Sequence, residues 1–261
     1  MSAAGPDAAG GVHVSAEGSY LYGSVRGSLQ TPSGGRTGTT SPGRPSLEEI
    51  GIDDASIGDV ALTLSIPGGH RFYAGGQFIG LSGGATLRDT LVSQGQTFDA
   101  GAPVHSDVRL DWYRLGYQNP FVLARGAGAR PELTLTPAAG AGLFTFDYKL
   151  RTDAADGPRV SRSYSKLMPQ VGLEAEWRPG GGPFAVSAGA LGFPRLGTAT
   201  PQITAEHVLL HYSAVDDRRF TADAFGGVAF EQMNFEDRQT IPNRVRADFG
   251  PLLVVGLRLE F

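Results

Sequence analysis

Arg244-Val-Arg-Ala-Asp-Phe-Gly-Pro-Leu-Leu-Val-Val-Gly-Leu-Arg-Leu-Glu-Phe261 closes the chain and decides how the rest of it is read. Val245, Ala247, Phe249, Leu253, Val255, Leu257, Leu259 and Phe261 fall on one parity. Arg244, Arg246, Asp248, Gly250, Gly256, Arg258 and Glu260 fall on the other. Side chains of a strand alternate between its faces, so this spacing predicts one long strand with an apolar and a charged face. The same alternation recurs upstream. Val60, Leu62, Leu64 and Ile66 oppose Asp59, Thr63 and Ser65, and Val171, Leu173, Ala175 and Trp177 oppose Gln170, Glu174 and Glu176. Val104, Val108, Leu110 and Trp112 alternate with His105, Asp107, Arg109 and Asp111. Phe144, Phe146, Tyr148 and Leu150 alternate with Thr145, Asp147 and Lys149, and Phe220, Ala222, Ala224, Val228 and Phe230 oppose Asp223 and Glu231. No comparable helical period occurs, and the chain reads as all-β.

Short turn signals at Pro67-Gly-Gly, Pro179-Gly-Gly-Gly and Val215-Asp-Asp-Arg alternate with long polar connections near 31–55, 82–103, 151–161, 194–201 and 236–243. A looser signal, Gln118-Asn-Pro, opens a link running to Pro131. Strands placed between these connections fall at about 12–30, 57–66, 70–81, 104–118, 132–150, 161–178, 183–193, 202–214, 218–235 and 244–261. That is ten strands, with eight or twelve as neighbouring counts, and an even number puts both termini at the end with the short turns. Residues 1–11 read as a flexible N-terminal segment and 12–261 as a single barrel domain. The first connection, from Thr31 to Pro45, is Gly/Ser/Thr/Pro-rich and reads as a mobile loop.

Composition removes several function classes. The 261 residues include 38 Gly and 17 Pro, with 22 basic against 26 acidic side chains for a net charge of −4. That balance lacks the basic face of a nucleic-acid binder. The absence of Cys excludes disulfides, thiolate metal sites and a Cys nucleophile. No apolar run is long enough for a membrane helix, but the mean hydropathy of −0.12 is blind to a barrel whose strands alternate. The N-terminal Met1-Ser-Ala-Ala-Gly-Pro6 has neither a basic nor an apolar targeting region, so an exported protein is read here in its mature form with a start Met.

Alternation fits a soluble barrel with an apolar inside and a membrane barrel with an apolar outside. The soluble reading predicts Phe249, Leu253 and Leu257 in the core of a barrel that binds an apolar ligand. Three features favour the membrane barrel. The strands exceed the usual globular length, while a tilted strand crosses the hydrocarbon in about 9–11 residues. Aromatic residues gather near strand ends at Tyr20, Tyr22, Phe72, Tyr73, Trp112, Tyr113, Tyr117, Trp177, Phe184, Tyr212 and Phe220, as interfacial girdles do. Short turns at one end and long loops at the other are the third.

With Leu253, Val255, Leu257, Leu259 and the terminal Phe261, the last strand resembles the C-terminal signature of Gram-negative outer-membrane β-barrels. The stretch Gly95–Tyr117 is similar to a loop-plus-strand segment of uncharacterised proteobacterial barrel families. The resemblance implies an up-and-down antiparallel transmembrane barrel in the bacterial outer membrane, with short periplasmic turns and long extracellular loops. It also implies contact with membrane lipid and lipopolysaccharide, and an assembly signature in those five residues that the barrel-assembly machinery reads. Ten strands at ~4.8 Å spacing and a tilt near 40° close a cylinder roughly 20 Å across, too narrow for a wide aqueous pore.

The charged parity then becomes the lumen. It collects His105, Asp107, Arg109, Asp111, Asp147, Lys149, Glu174, Glu176, Asp223, Glu231, Arg246, Asp248, Arg258 and Glu260. Charges in a narrow interior must pair or be hydrated, so the expectation is a salt-bridge network filling the barrel. Acids exceed bases in the set, so a path for ions through it would favour cations. The functional reading is an envelope structural protein or a small passive channel.

The alternative is a barrel enzyme acting on lipid or peptide at the outer mouth. That needs a His within hydrogen-bond reach of a nucleophile. His207 and His211 share a parity but lie about 13 Å apart by strand rise, too far to chelate one metal. His105, Ser106 and Asp107 alternate faces, and no catalytic, cofactor or metal motif stands out. The loop from Leu87 to Phe98 could cover the mouth, and the acidic run Glu48, Glu49, Asp53, Asp54 could take a divalent cation or simply be solvated.

Overall fold

The computed structural model describes residues 11–30, 45–124, 131–180, 182–193, 202–217, 220–236 and 242–261. Its strands are β1 (His13–Gln30), β2 (Asp54–Ile66), β3 (His70–Thr86), β4 (Leu91–Ser93), β5 (Gln96–Phe98), β6 (Pro103–Gln118), β7 (Phe121–Ala124), β8 (Glu132–Thr152), β9 (Arg159–Arg178), β10 (Phe184–Gly192), β11 (Gln202–Asp217), β12 (Phe220–Glu236) and β13 (Arg244–Glu260). All ladders are antiparallel between chain neighbours, β6 pairs with β8, and β1 pairs with β13. Among the described residues, the strands β1, β2, β3, β6, β8, β9, β10, β11, β12 and β13 therefore close a ring of ten with no free edge.

Two additions differ from the sequence expectation. The link after Gln118 contains β7, whose Phe121, Val122 and Ala124 pair with β8 and prolong the β6–β8 ladder past Asn119-Pro120. Proline cannot donate to a ladder, and the interruption sits there. The connection from β3 to β6 carries the small hairpin β4–β5, with Leu87, Leu91 and Phe98 buried beneath it. The expected flexible segment at 1–11 falls almost wholly outside the described residues, as does most of the Thr31–Pro45 loop.

Length is the feature that organises the barrel. β8 has 21 residues and β9 has 20. At ~3.4 Å per residue and a tilt near 40°, such strands reach about 50 Å along the axis, far beyond a ~30 Å hydrocarbon layer. The outer wall accordingly has two zones. Toward the short-turn end it is an apolar belt, with Tyr20 and Tyr22 of β1, Val60 to Leu64 of β2, Leu173 and Val171 of β9, Val208 to Tyr212 of β11 and Leu253 to Leu257 of β13. Leu253 is 68% exposed and Leu167 is 76% exposed, values that a water-facing wall would not sustain over a whole circumference.

Aromatic pairs edge this belt. Phe72–Tyr117, Phe184–Tyr212 and Phe220–Phe261 lie at the short-turn edge, and Phe78–Tyr113 marks the other. Tyr20 is hydrogen-bonded to Ser56 and Tyr22 donates to Asp54, the polar tips that interfacial aromatics seek. Two expected girdle residues are not there. Tyr73 and Trp112 point into the barrel, where both are buried.

Candidate functional site

Above the belt, toward the long loops, the wall is turned inside out. β6 presents Val104, Val108, Leu110 and Trp112 inward, opposite Tyr148, Phe146 and Phe144 of β8, all at most 3% exposed. Their outward neighbours are His105, Asp107, Arg109, Asp111, Asp147 and Lys149. The expected lumen position of these six is thus corrected to the outer wall. The reason is the solvent: beyond the belt the outside is water, so the charged parity takes it and the apolar parity turns to the core, while Asp111, level with Phe78 at the belt edge, shares the outward parity but is only 8% exposed. His105 ends in an ion pair with Asp153, half-exposed at 2.7 Å.

β13 makes the switch within one strand. Its ladders skip a residue at Gly250–Pro251, since Gly23 pairs with Leu252 while Val25 pairs with Phe249. The partner ladder shifts at the same place, between Ala229 and Glu231. A bulge of one residue reverses parity. Hence Val245, Ala247 and Phe249 face the interior with Leu252 and Val254, while Leu253, Val255 and Leu257 face out. The expected lumen positions of Arg246 and Asp248 are corrected to the outer wall for the same reason. There Arg246 Nε lies 2.9 Å from Asp248 Oδ2.

The first connection runs alongside β1 beyond the end of β2 and adds apolar side chains to the core of the loop half. Ser46 and Glu49 satisfy each other reciprocally, with the Glu49 amide donating to Ser46 Oγ at 3.1 Å and the Ser46 amide to Glu49 Oε2 at 2.7 Å. This fixes a single 3-10 turn over Glu48–Ile50. Leu47, Ile50 and Ile52 are fully buried and belong to the same apolar cluster as Ile57, Ile79 and Leu110. The turn is pinned by Leu47 N to Gly27 O at 3.0 Å and by Ser106 Oγ to Ile50 O at 3.2 Å. Gly51 sits so near the backbone of Gly83 and Gly84 that a Cβ on either Gly51 or Gly83 would collide. Burying each stopper side chain contributes about 1.5–3 kcal/mol. The acidic run is divided by this arrangement: Glu49 caps the turn and Asp54 accepts from Tyr22. Among the described residues no three His, Asp or Glu converge on one point.

Below the stopper, at belt height, the interior is polar. Here the structure brings together Glu174, Glu176, Asp223, Glu231, Arg258 and Glu260 on the inward parity, along with residues the sequence reading passed over. Arg114 holds Asp59 at 2.5 and 2.7 Å, and stacks its guanidinium 5.1 Å over Trp112. Gln77 donates to Asp59 at 3.3 Å and to Glu231, on the far wall, at 2.7 Å. Gln170 donates to Tyr73 at 2.6 Å, a second crossing of the bore. Arg258 holds Glu17 at 2.7 Å, with Glu174 and Glu176 within electrostatic reach. Glu176 is itself paired with Arg178 at 2.6 Å. Glu17, Gln77 and Arg114 carry a signal only once the register is known, because each sits alone among small or apolar neighbours in sequence, whereas Asp59 stands on the polar parity of β2 but outside the expected lumen set.

His207 and His211 both face this interior. His207 lies 3.9 Å from Glu174, and His211 Nε2 lies 2.8 Å from Ser187 Oγ. A hydroxyl–imidazole pair is the minimum for nucleophilic catalysis, but substrate must reach it. Ser187 is 1% and His211 4% exposed, and the carboxylate across from Ser187 in the ladder, Glu176, is taken by Arg178.

A closed ten-stranded ring with an apolar outer belt and a polar interior at the same height is a membrane-spanning β-barrel. No protein-family model and no curated protein matches the chain. Solved structures similar to it are themselves bacterial outer-membrane proteins. The outer membrane protease OmpT from Escherichia coli is 11% identical, over 95% of this chain and 97% of that one, at a TM-score of 0.45. Ail, the attachment invasion locus protein of Yersinia pestis, solved with the heparin analogue sucrose octasulfate, is 12% identical over 94% and 99%, at 0.34. A FadL homologue of Pseudomonas aeruginosa is 9% identical over 96% and 90%, at 0.30.

Proposed function

We propose that this chain is a Gram-negative outer-membrane barrel whose short-turn end lies in the periplasm, and that it serves the envelope as a closed scaffold. The observation that carries this is the apolar stopper: Leu47, Ile50 and Ile52, fully buried, join the apolar core of the loop half, above a lumen crossed by Gln77–Glu231 and Gln170–Tyr73. An ion passing through would have to leave water among apolar side chains, at a cost of several kcal/mol. The outward Leu253, Val255, Leu257, Leu259 and Phe261 are the positions on which assembly machinery would act, and the belt is the surface that meets lipid and lipopolysaccharide. The Ser187–His211 pair, enclosed by the ring, belongs to the structural network in this reading rather than to a hydrolase.

Planar-bilayer recording tests the proposal. Inserted protein is expected to show no steady conductance, and a variant lacking residues 46–52 to show cation-preferring openings through the acid-rich lumen. Steady conductance by the unaltered chain would overturn the closed reading, and labelling of Ser187 by a serine-reactive phosphonate would revive the enzyme.

A further inference from the structure

No strand of the ring is open along its whole edge, but β9 is open along much of one. β9 has 20 residues and its neighbour β10 has 9. β8 pairs with β9 along its full length, whereas β10 pairs with it only from Val171 to Trp177. Residues 159–170 thus have ladder partners on one side alone among the described residues, over about 40 Å at ~3.4 Å per residue. Val171 belongs to the apolar belt, so the open edge starts at the membrane rim and runs away from it. β11 leaves the gap unfilled as well, since it begins at Gln202 opposite Asn234 of β12.

The side chains along this edge carry one sign of charge. From Gly157 to Leu173 the chain holds Arg159, Arg162 and Lys166 and no carboxylate. Arg159 donates to Ala155 O in the turn before it. Arg162 and Lys166 pair across the ladder with Tyr148 and Phe144, which puts both on the inward parity, four residues apart. Neither makes an ion pair among the described residues. Arg162 Nε is buried with no hydrogen-bond partner among them, and the exposed Lys166 has its Nζ 6.0 Å over the ring of Phe235. Tyr164, between the two, packs its ring against Phe146 and Phe235 with centroids 4.8 Å away. Backbone groups that lack a ladder partner template another strand, and unpaired cations beside them select its charge.

We infer that this edge takes up an extended segment of a partner protein as an added strand, one that carries carboxylates four residues apart opposite Arg162 and Lys166. A second copy of the chain does not fit. Two barrels upright in one bilayer are related by an axis along its normal, so their strands, each tilted near 40°, cross at about 80° where they face each other. A separate segment has no such constraint: main-chain pairing supplies the affinity, and the carboxylates supply the choice of partner. The inference goes beyond the scaffold reading and rests on the loop half standing outside the membrane.

The test uses the folded barrel in detergent micelles and a fluorescein-labelled peptide of about ten residues, alternating Thr and Val, with two Val four positions apart replaced by Glu. Fluorescence anisotropy is expected to show binding, and amide hydrogen exchange to slow across residues 159–170. Exchanging both Glu of the peptide for Gln, or Arg162→Gln with Lys166→Gln in the barrel, should weaken binding about tenfold. N-methylation of the peptide amides, which keeps the charge and removes the donors, should abolish it. Every barrel is first shown to keep a heat-dependent gel mobility shift, whose absence in the unaltered protein would count against the membrane reading instead. With the shift present, no binding of the Glu peptide, indifference to the cation pair, equal binding of the N-methylated peptide, or protection confined to other strands would each overturn the inference.

Discussion

The belt half and the loop half of this barrel are built from the same alternating strands with opposite solvents. At belt height, Val255 and Leu257 face out while Arg258 points inward and pairs with Glu17; in the loop half, Asp147 and Lys149 face out while Phe146 and Tyr148 are buried. Sequence periodicity of two fixes that the faces differ, and the medium outside fixes which one faces it. A membrane barrel that outgrows its membrane becomes, over the excess length, a soluble β-barrel with an apolar core. The difference teaches that inside and outside must be argued separately at each height.

The sharpest way to break this comparison is a charge placed in the loop-half core. Phe146→Asp is expected to destabilise by on the order of 5 kcal/mol or more, through lost packing and an unpaired buried carboxylate. If Phe146 faced lipid, a far smaller loss would be seen in urea unfolding of the lipid-reconstituted protein. Next in size is the lumen pair. Arg114→Met strands Asp59 and should cost about 3–5 kcal/mol, much of it recovered when Asp59→Leu is added. An uncorrected double variant would mean that the pair is not closed in the way the distances show.

Leu257→Arg probes the belt, where a cation near mid-bilayer should cost about 2–4 kcal/mol, falling toward zero in detergent that lets it reach water. The smallest effect is expected in the outer wall of the loop half. Asp107→Leu should change stability by no more than about 0.5 kcal/mol, although it is the same exchange of charge and leucine on the same kind of strand. A cost for Asp107→Leu as large as that for Leu257→Arg would place the two residues in one medium and collapse the distinction.

Strand number and the alternation of short turns with long loops were legible in the sequence, because period two and Gly/Pro turn chemistry are local signals, while the Gly-rich end of β3 runs to Thr86, past its expected limit at 81. Glu174, Glu176, Asp223, Glu231, Arg258 and Glu260 lie on the inward parity at belt height, where the outside is apolar and the membrane rule applies. His105, Asp107, Arg109, Asp111, Asp147 and Lys149 lie on the outward parity instead, because nothing local tells a strand where the bilayer stops. Arg246 and Asp248 add a second cause: the one-residue bulge at Gly250–Pro251 reverses parity unseen in a pattern that continues apolar on odd numbers. The stopper was the least legible. Its S-x-x-E turn at Ser46–Glu49 sits in a run that reads as solvated acid, and only the Gly51 contact with β3 reveals its depth.

The chain's two tryptophans fall on the two sides of the wall. Trp112 is fully buried on the inward parity and Trp177 is half-exposed on the belt. Quenching by brominated lipid, read in Trp112→Phe and Trp177→Phe variants of the reconstituted barrel, therefore tests the inside–outside assignment directly. The account predicts strong quenching of Trp177 and none of Trp112. Quenching of Trp112 would contradict it, returning the apolar parity of β6 to the lipid and its charges to the lumen.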